Sequence, residues 1–139
     1  MVEPGLVALA WGVSLAALAL GQIFQGHLIP QQYYGGASSA LISDATIFYL
    51  EVLGLSTLAG LVIRDPQRAI LSFIACYVVG GLITVIVLML PGFVNALAIP
   101  QLVFGMAIVD TFTALFPIPI LVGLAGTFLG LVLSDRFFR

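Results

Sequence analysis

The sequence predicts an all-α integral membrane protein, a polytopic bundle of four to five transmembrane helices. Three observations predict it: the hydrophobic share is 62%, the charged share is 7%, and the mean hydropathy is +1.25. In soluble domains about a quarter of residues are charged, and a surface so poor in charge does not keep a soluble protein monomeric. With 139 residues, the chain is predicted to form a single transmembrane domain, with no room for a soluble catalytic unit.

Five apolar segments are predicted as helices. The first follows an N-terminus without basic residues, which argues against a cleaved signal peptide and for a retained helix. The second and third flank the charged turn 64–68, and each is about 20 residues long, enough to cross roughly 30 Å of hydrocarbon as a helical hairpin. Pro66 favours this turn, because proline disfavours helix at the preceding residue and suits the first turn of the next helix. The predicted helices cover about 6–24, 46–63, 69–90, 101–116 and 117–133.

The number of crossings depends on the last two segments, which are each about 17 residues long and lie at the short end of the spanning range. The loop 64–68 is predicted to be cytoplasmic in a multi-pass protein of the cell membrane, because basic loops stay inside. Four crossings would bring Arg136 and Arg139 inside as well, whereas five would leave them outside. However, so small a chain has little protein to shield a re-entrant segment from lipid. We therefore favour five crossings over four.

Glu51 is the first candidate functional residue, because it is an acid inside a predicted span, about 9 Å from the outer end of its helix. A carboxylate at that depth costs on the order of 3 kcal/mol on insertion scales, so it usually faces protein or water. Two interpretations stay open. Glu51 is either protonated or bonded to a neighbouring helix, as a packing and specificity device, or it is a group that couples protons or ions or binds a ligand.

Asp110 is the second candidate, in a segment flanked by prolines. Thr111 and Thr113 lie beside it, and their hydroxyl groups can donate to its carboxylate or to backbone carbonyls. Asp110 lies deep if the segment spans the membrane and is solvated if the segment lies at the interface. Together with Glu51 it could form a proton relay or a cation site, although the sequence does not show that the two acids meet.

A third group of polar residues, Gln22, Gln25 and His27, marks the end of the first predicted helix. We interpret them as interfacial, with hydrogen bonding to a small ligand or a quinone as the alternative. A single histidine cannot hold a haem through two histidine ligands. The single cysteine, Cys76, excludes an internal disulfide and a multi-cysteine metal site. We therefore predict no cofactor and no metal.

Small residues recur at a spacing of four in three predicted helices, which is typical of membrane helices that pack closely. They predict a tight bundle, with the last of the three motifs available for self-association or a partner. No nucleophile elbow, phosphate loop, zinc spacing or catalytic triad occurs in the sequence, so the protein is predicted not to be an enzyme. The three motifs are Ser56-x-x-x-Gly60, Cys76-x-x-x-Gly80-x-x-x-Thr84 and Gly126-x-x-x-Gly130.

One pattern extends over residues 6–90. The end of the first predicted helix and the residues after it read Gly21–Pro30. The second helix carries an acid, Glu51, in its early part, followed by Gly54-Leu55 and Gly60-Leu61. A short charged turn and a third helix rich in small residues complete it. This pattern resembles the DoxX-like small membrane proteins. The resemblance implies a compact four-helix bundle, with a link to quinone-dependent redox systems in some members and an unknown role in many.

The functional prediction is a small non-enzymatic membrane protein, either an accessory or structural subunit or a DoxX-like bundle. Its predicted partners are the lipid bilayer and either further copies of itself or a membrane-complex partner. Nucleic acid is excluded, because the sequence has no basic patch. The first alternative is an oligomeric small transporter or channel protomer that uses Glu51 and Asp110. The second is a quinone-associated membrane redox subunit with contacts near His27 and Gln25.

Overall fold

The computed structural model describes residues 3–25, 39–94 and 100–137, and these residues form five α-helices. The predicted all-α class is therefore confirmed. Each predicted apolar segment corresponds to one helix, and most of the helices extend beyond the predicted limits at one or both ends. The helices are α1 (Pro4–Phe24), α2 (Ser39–Ile63), α3 (Pro66–Phe93), α4 (Pro100–Leu115) and α5 (Ile118–Phe137).

Four of these helices, α1, α2, α3 and α5, are long and apolar enough to cross a membrane. The chain is thus a small multi-pass helical membrane protein, as predicted. The remaining helix, α4, has 16 residues and is about 24 Å long, less than the roughly 30 Å of hydrocarbon in a bilayer. Five alternating crossings would make α2 and α5 antiparallel. The two helices instead run parallel, because Gly126 lies against Leu53 and Gly130 against Thr57. The prediction of five crossings is therefore wrong, and the structure favours four, with α4 not making a crossing of its own.

The charged turn between α2 and α3 is built as the sequence predicts, with Pro66 in the first turn of α3. The Asp65 carboxylate caps this helix by accepting a hydrogen bond from the backbone N–H of Gln67 at 3.1 Å. The same carboxylate pairs with the Arg68 guanidinium at 3.3 Å. At its other end, α3 continues through Pro91 to Phe93, beyond the predicted limit at residue 90. Gly92 is buried there, because the Phe104 ring of α4 packs against it.

Two helix pairs build the bundle: α2 packs closely with α5, and α1 with α3. Glycine makes both pairs close. A Cβ atom on Gly126 would lie 2.6 Å from the backbone oxygen of Leu53, and one on Gly80 would lie 3.0 Å from the backbone oxygen of Gly12. Although α2 and α3 are consecutive, they contact each other only slightly. The two helices of the predicted hairpin are therefore consecutive in the sequence without packing on each other extensively. Each packs mainly with another helix, α2 with α5 and α3 with α1.

The core lies where these pairs meet, around the Phe73 ring of α3. Its centroid lies 5.9 Å from that of Trp11 on α1 and 4.7 Å from that of Tyr77. The Tyr77 hydroxyl donates a hydrogen bond to the backbone oxygen of Pro119 at 2.6 Å, which ties α3 to the start of α5. Leu15 and other fully buried side chains complete this core. Large apolar side chains remain exposed on all five helices, which suits a surface in contact with lipid.

Candidate functional site

Glu51 lies on the side of α2 that faces away from the bundle. The exposed positions of α2 are spaced by three or four residues, and that spacing places them on one face of a helix. The opposite side of α2 is buried and includes Phe48, Val52 and Ser56. We call the exposed side the outer face of α2, and between residues 45 and 63 it consists of Thr46, Ile47, Leu50, Glu51, Gly54, Leu58 and Val62.

The Glu51 carboxylate makes no hydrogen bond and no ion pair with any residue that the structure describes. It lies within the candidate membrane span Ala45–Ile63, about 9 Å from the start of that span and about 18 Å from its end. The interpretation of Glu51 as a group that packs between helices of its own bundle therefore gains no support. The carboxylate is left on a surface that a lipid bilayer would contact.

Asp110 is half-buried on α4 and likewise makes no hydrogen bond with the described part of the chain. Its threonine neighbours donate to backbone oxygens instead, Thr111 to Ala107 at 2.7 Å and Thr113 to Val109 at 2.8 Å. As far as the described residues extend, α2 and α4 do not contact each other. The structure therefore does not bring Glu51 and Asp110 together into one site.

The polar group at the end of α1 is described in part. Gln22 is buried and Gln25 is exposed just after the last residue of the helix. His27 lies outside the described residues, so its predicted role as a ligand contact stays a prediction. No group of three or more potential metal-ligating side chains is found in the ranges 3–25, 39–94 and 100–137.

The small-residue motifs of α2 and α5 face each other. Ser56 and Gly60 lie on the buried side of α2 against Gly126 and Gly130 of α5, and a Cβ atom on Gly130 would overlap the backbone oxygen of Thr57. Gly126-x-x-x-Gly130, which the sequence left available for self-association or a partner, is thus occupied by this chain's own α2. Close packing of two helices at these glycines leaves no room for a third.

Gly80 of α3 packs against Gly12 of α1, a residue that the sequence motifs did not include. A Cβ atom on Gly12 would lie 3.0 Å from the backbone oxygen of Cys76. The signal was present in the sequence, because Ala8, Gly12 and Ala16 repeat the spacing of four and are all buried. Alanine is common in helices of every kind, so this repeat did not stand out.

Among the clefts between the described helices, two are lateral and apolar. The first, of about 460 Å³, lies between α1 and α2 and includes Leu58 and Val62 in its wall. The second, of about 480 Å³, lies between α3, α4 and α5. The hydroxyl groups of Tyr77 and Thr111 in the second cleft already donate to backbone oxygens. That cleft can take a hydrocarbon chain, and it offers a ligand no unused hydroxyl donor.

No protein-family model, curated protein or solved structure matches this chain. The resemblance to DoxX-like proteins therefore gains no support. What the sequence and the structure establish together is a small multi-span helical membrane protein whose acid at membrane depth, Glu51, faces outward from the bundle.

Proposed function

We propose that this protein is a non-enzymatic accessory subunit of a larger membrane assembly and that it docks through the outer face of α2. The observation that carries the proposal is the exposure of Glu51 within a membrane span. A carboxylate facing lipid at that depth costs on the order of 3 kcal/mol. Contact with another protein would remove the carboxylate from lipid, and this chain's own described helices do not cover it.

A comparison with α3 supports the choice of face. Beyond the charged turn, the exposed side chains of α3 up to Leu90 are apolar without exception: Ile70, Leu71, Ile74, Ala75, Val78, Leu82 and Ile86. A helix face of that composition is fully compatible with lipid. The outer face of α2 is equally apolar except at Glu51, at Gly54 and at Thr46 near the start of the span, and Thr46 has an interaction partner. The difference between the two faces is therefore local, and it points to one docking surface.

The separation of the acids favours the accessory role over the transporter alternative. A pathway for protons or cations needs polar groups that follow one another across the membrane. Glu51 and Asp110 lie on helices that do not touch in the described ranges. The two lateral clefts are apolar, which also gives catalysis little support.

The test is site-specific photo-crosslinking in membranes of the cells that express the protein. A photoreactive amino acid replaces Leu58 on the outer face of α2 or, as a matched control, Val78 on α3. Their exposed fractions are similar, 63% and 58%. We expect a discrete protein adduct from position 58 and only lipid adducts from position 78. Protein adducts at both positions in equal yield, or at neither, would contradict the proposal.

A further inference from the structure

The three arginines that the structure describes lie far from Glu51. The sequence contains no lysine and four arginines. Arg64 and Arg68 flank the turn between α2 and α3, and Arg136 lies in the last turn of α5. Even Arg64, the nearest of these along the chain, is about 20 Å from Glu51 along the axis of α2. The single histidine, His27, follows α1 in the sequence and lies outside the described residues.

A second copy of this chain has the same set of charges. If two copies met through the outer face of α2, they would bring one Glu51 against another, and neither copy would supply the other with a positive charge there. Two ionised carboxylates at close range in a medium of low dielectric constant repel strongly. The chemistry of the face therefore calls for a different protein, one that supplies positive charge at the depth where the described part of this chain has none.

The shape of the face is suited to a helix. Gly54 follows Glu51 by about one turn and is exposed, and no atom of the described residues lies within 4 Å of the position that its Cβ atom would take. A small residue on an exposed face lets another helix approach closely. Leu58 and Val62 continue the face into the cleft between α1 and α2, which leaves apolar room for the partner's neighbouring side chains.

We infer that the outer face of α2 receives a transmembrane helix that carries an arginine or a lysine at the depth of Glu51. Ionisable groups inside membranes usually pair with one another, and each charge of such a pair reduces the cost of burying the other. Gly54 allows the partner's backbone to come close enough for its basic side chain to reach the carboxylate. This inference rests on the proposed function and names the chemistry of the partner.

The experiment uses the purified full chain in phosphatidylcholine vesicles with synthetic helices as the probe. Each probe is a leucine-rich helix of about 20 residues, with arginine, leucine or glutamate at its centre. Energy transfer reports association between an acceptor on the probe and a donor attached through Asp135→Cys, an exposed position near the end of α5. The native Cys76 is fully buried and so is not labelled in the folded protein.

We expect the arginine probe to associate about tenfold more tightly than the leucine probe, as one interhelical polar contact in a membrane allows. The glutamate probe should bind no better than leucine. Glu51→Gln should reduce binding of the arginine probe to the level of the leucine probe, because the amide keeps the size of the side chain and removes its charge. The matched control, Asp110→Asn, removes the other acid and should leave the tenfold preference unchanged.

Three results would overturn the inference: equal binding of the arginine and leucine probes, a preference for arginine that survives Glu51→Gln, or a preference lost in Asp110→Asn. Energy transfer between two labelled copies that disappears in Glu51→Gln would overturn it too, because the occupant would then be a second copy. The two proposals fail separately. Crosslinks from position 58 in native membranes without arginine preference would leave the docking surface standing and remove its basic partner.

Discussion

Both sides of α2 carry a glycine, but the two glycines have different surroundings. Gly60 is buried, and a Cβ atom there would lie 2.5 Å from the backbone oxygen of Thr127 on α5. Gly54 lies on the outer face, where a Cβ atom would meet no atom within 4 Å. The buried side is therefore explained by the fold of this chain, and the outer face is not. A glycine and a carboxylate that the chain's own packing does not require are the features that a partner would use.

The largest expected effect comes from filling the contact on the buried side with Gly130→Leu. The new side chain would overlap the backbone oxygen of Thr57, and because the obstacle is backbone, α2 and α5 would have to separate. Overpacking of this kind typically costs about 1–3 kcal/mol and here should reach the upper end of that range or exceed it. The measurement is reversible unfolding in mixed detergent micelles.

Gly54→Leu is the matched control for that substitution. It adds the same side chain to a glycine on the outer face of α2, where nothing obstructs it. Its free energy of unfolding should stay within about 1 kcal/mol of the unsubstituted protein. Comparable losses in both variants would break the distinction between the two sides of α2.

A smaller effect is expected from Ser56→Ala on the buried side. Ser56 is 1% exposed, and its hydroxyl oxygen has no hydrogen-bond partner among the described residues. A buried hydroxyl that makes no hydrogen bond is destabilising, so alanine should raise the free energy of unfolding by about 1 kcal/mol. Thr57→Val is the control, because the Thr57 hydroxyl donates to the backbone oxygen of Leu53 at 2.8 Å. That variant should not gain stability, and a loss in Ser56→Ala would show that its hydroxyl is in fact bonded.

Much of this architecture follows from local patterns in the sequence. Apolar runs of sufficient length predict the helices, and Pro66 predicts the turn between α2 and α3. The predicted third helix begins at residue 69, whereas α3 begins at Pro66 itself. The partners of each helix could not be predicted in the same way. The consecutive helices α2 and α3 invite pairing, yet α2 packs with α5 and α3 with α1. That choice depends on which glycine surface fits which, a property of two distant segments together.

The candidate site, like the fold, could be predicted from the sequence only in part. An acid in an apolar span identifies Glu51 from the sequence alone. Whether Glu51 faces the bundle or the lipid could not be predicted. A helix surrounded by lipid is apolar on both sides, so the contrast in polarity between core and surface positions disappears. Asp110 shows the same limitation, since only the structure separates its helix from that of Glu51. The residues of a partner are given by the partner's own sequence. This sequence indicates them only through the charge and shape that would complement the outer face of α2.

The smallest expected effect on stability, from Gly54→Ala, gives the sharpest comparison. A glycine within a helix is less favourable than alanine by roughly 0.5–1 kcal/mol, and at Gly54 the added methyl group meets nothing. The free energy of unfolding of the isolated protein should therefore be higher by about 0.5 kcal/mol.

In native membranes the methyl group added by Gly54→Ala would hold a docking helix away from Glu51, so the yield of the crosslinked adduct from position 58 should decrease. Gly105→Ala, at another exposed glycine with open space around it, should give the same gain in stability and leave the adduct unchanged. If Gly54→Ala left both readouts as Gly105→Ala does, Gly54 would serve no contact and the outer face of α2 would be an ordinary lipid surface that happens to carry an acid.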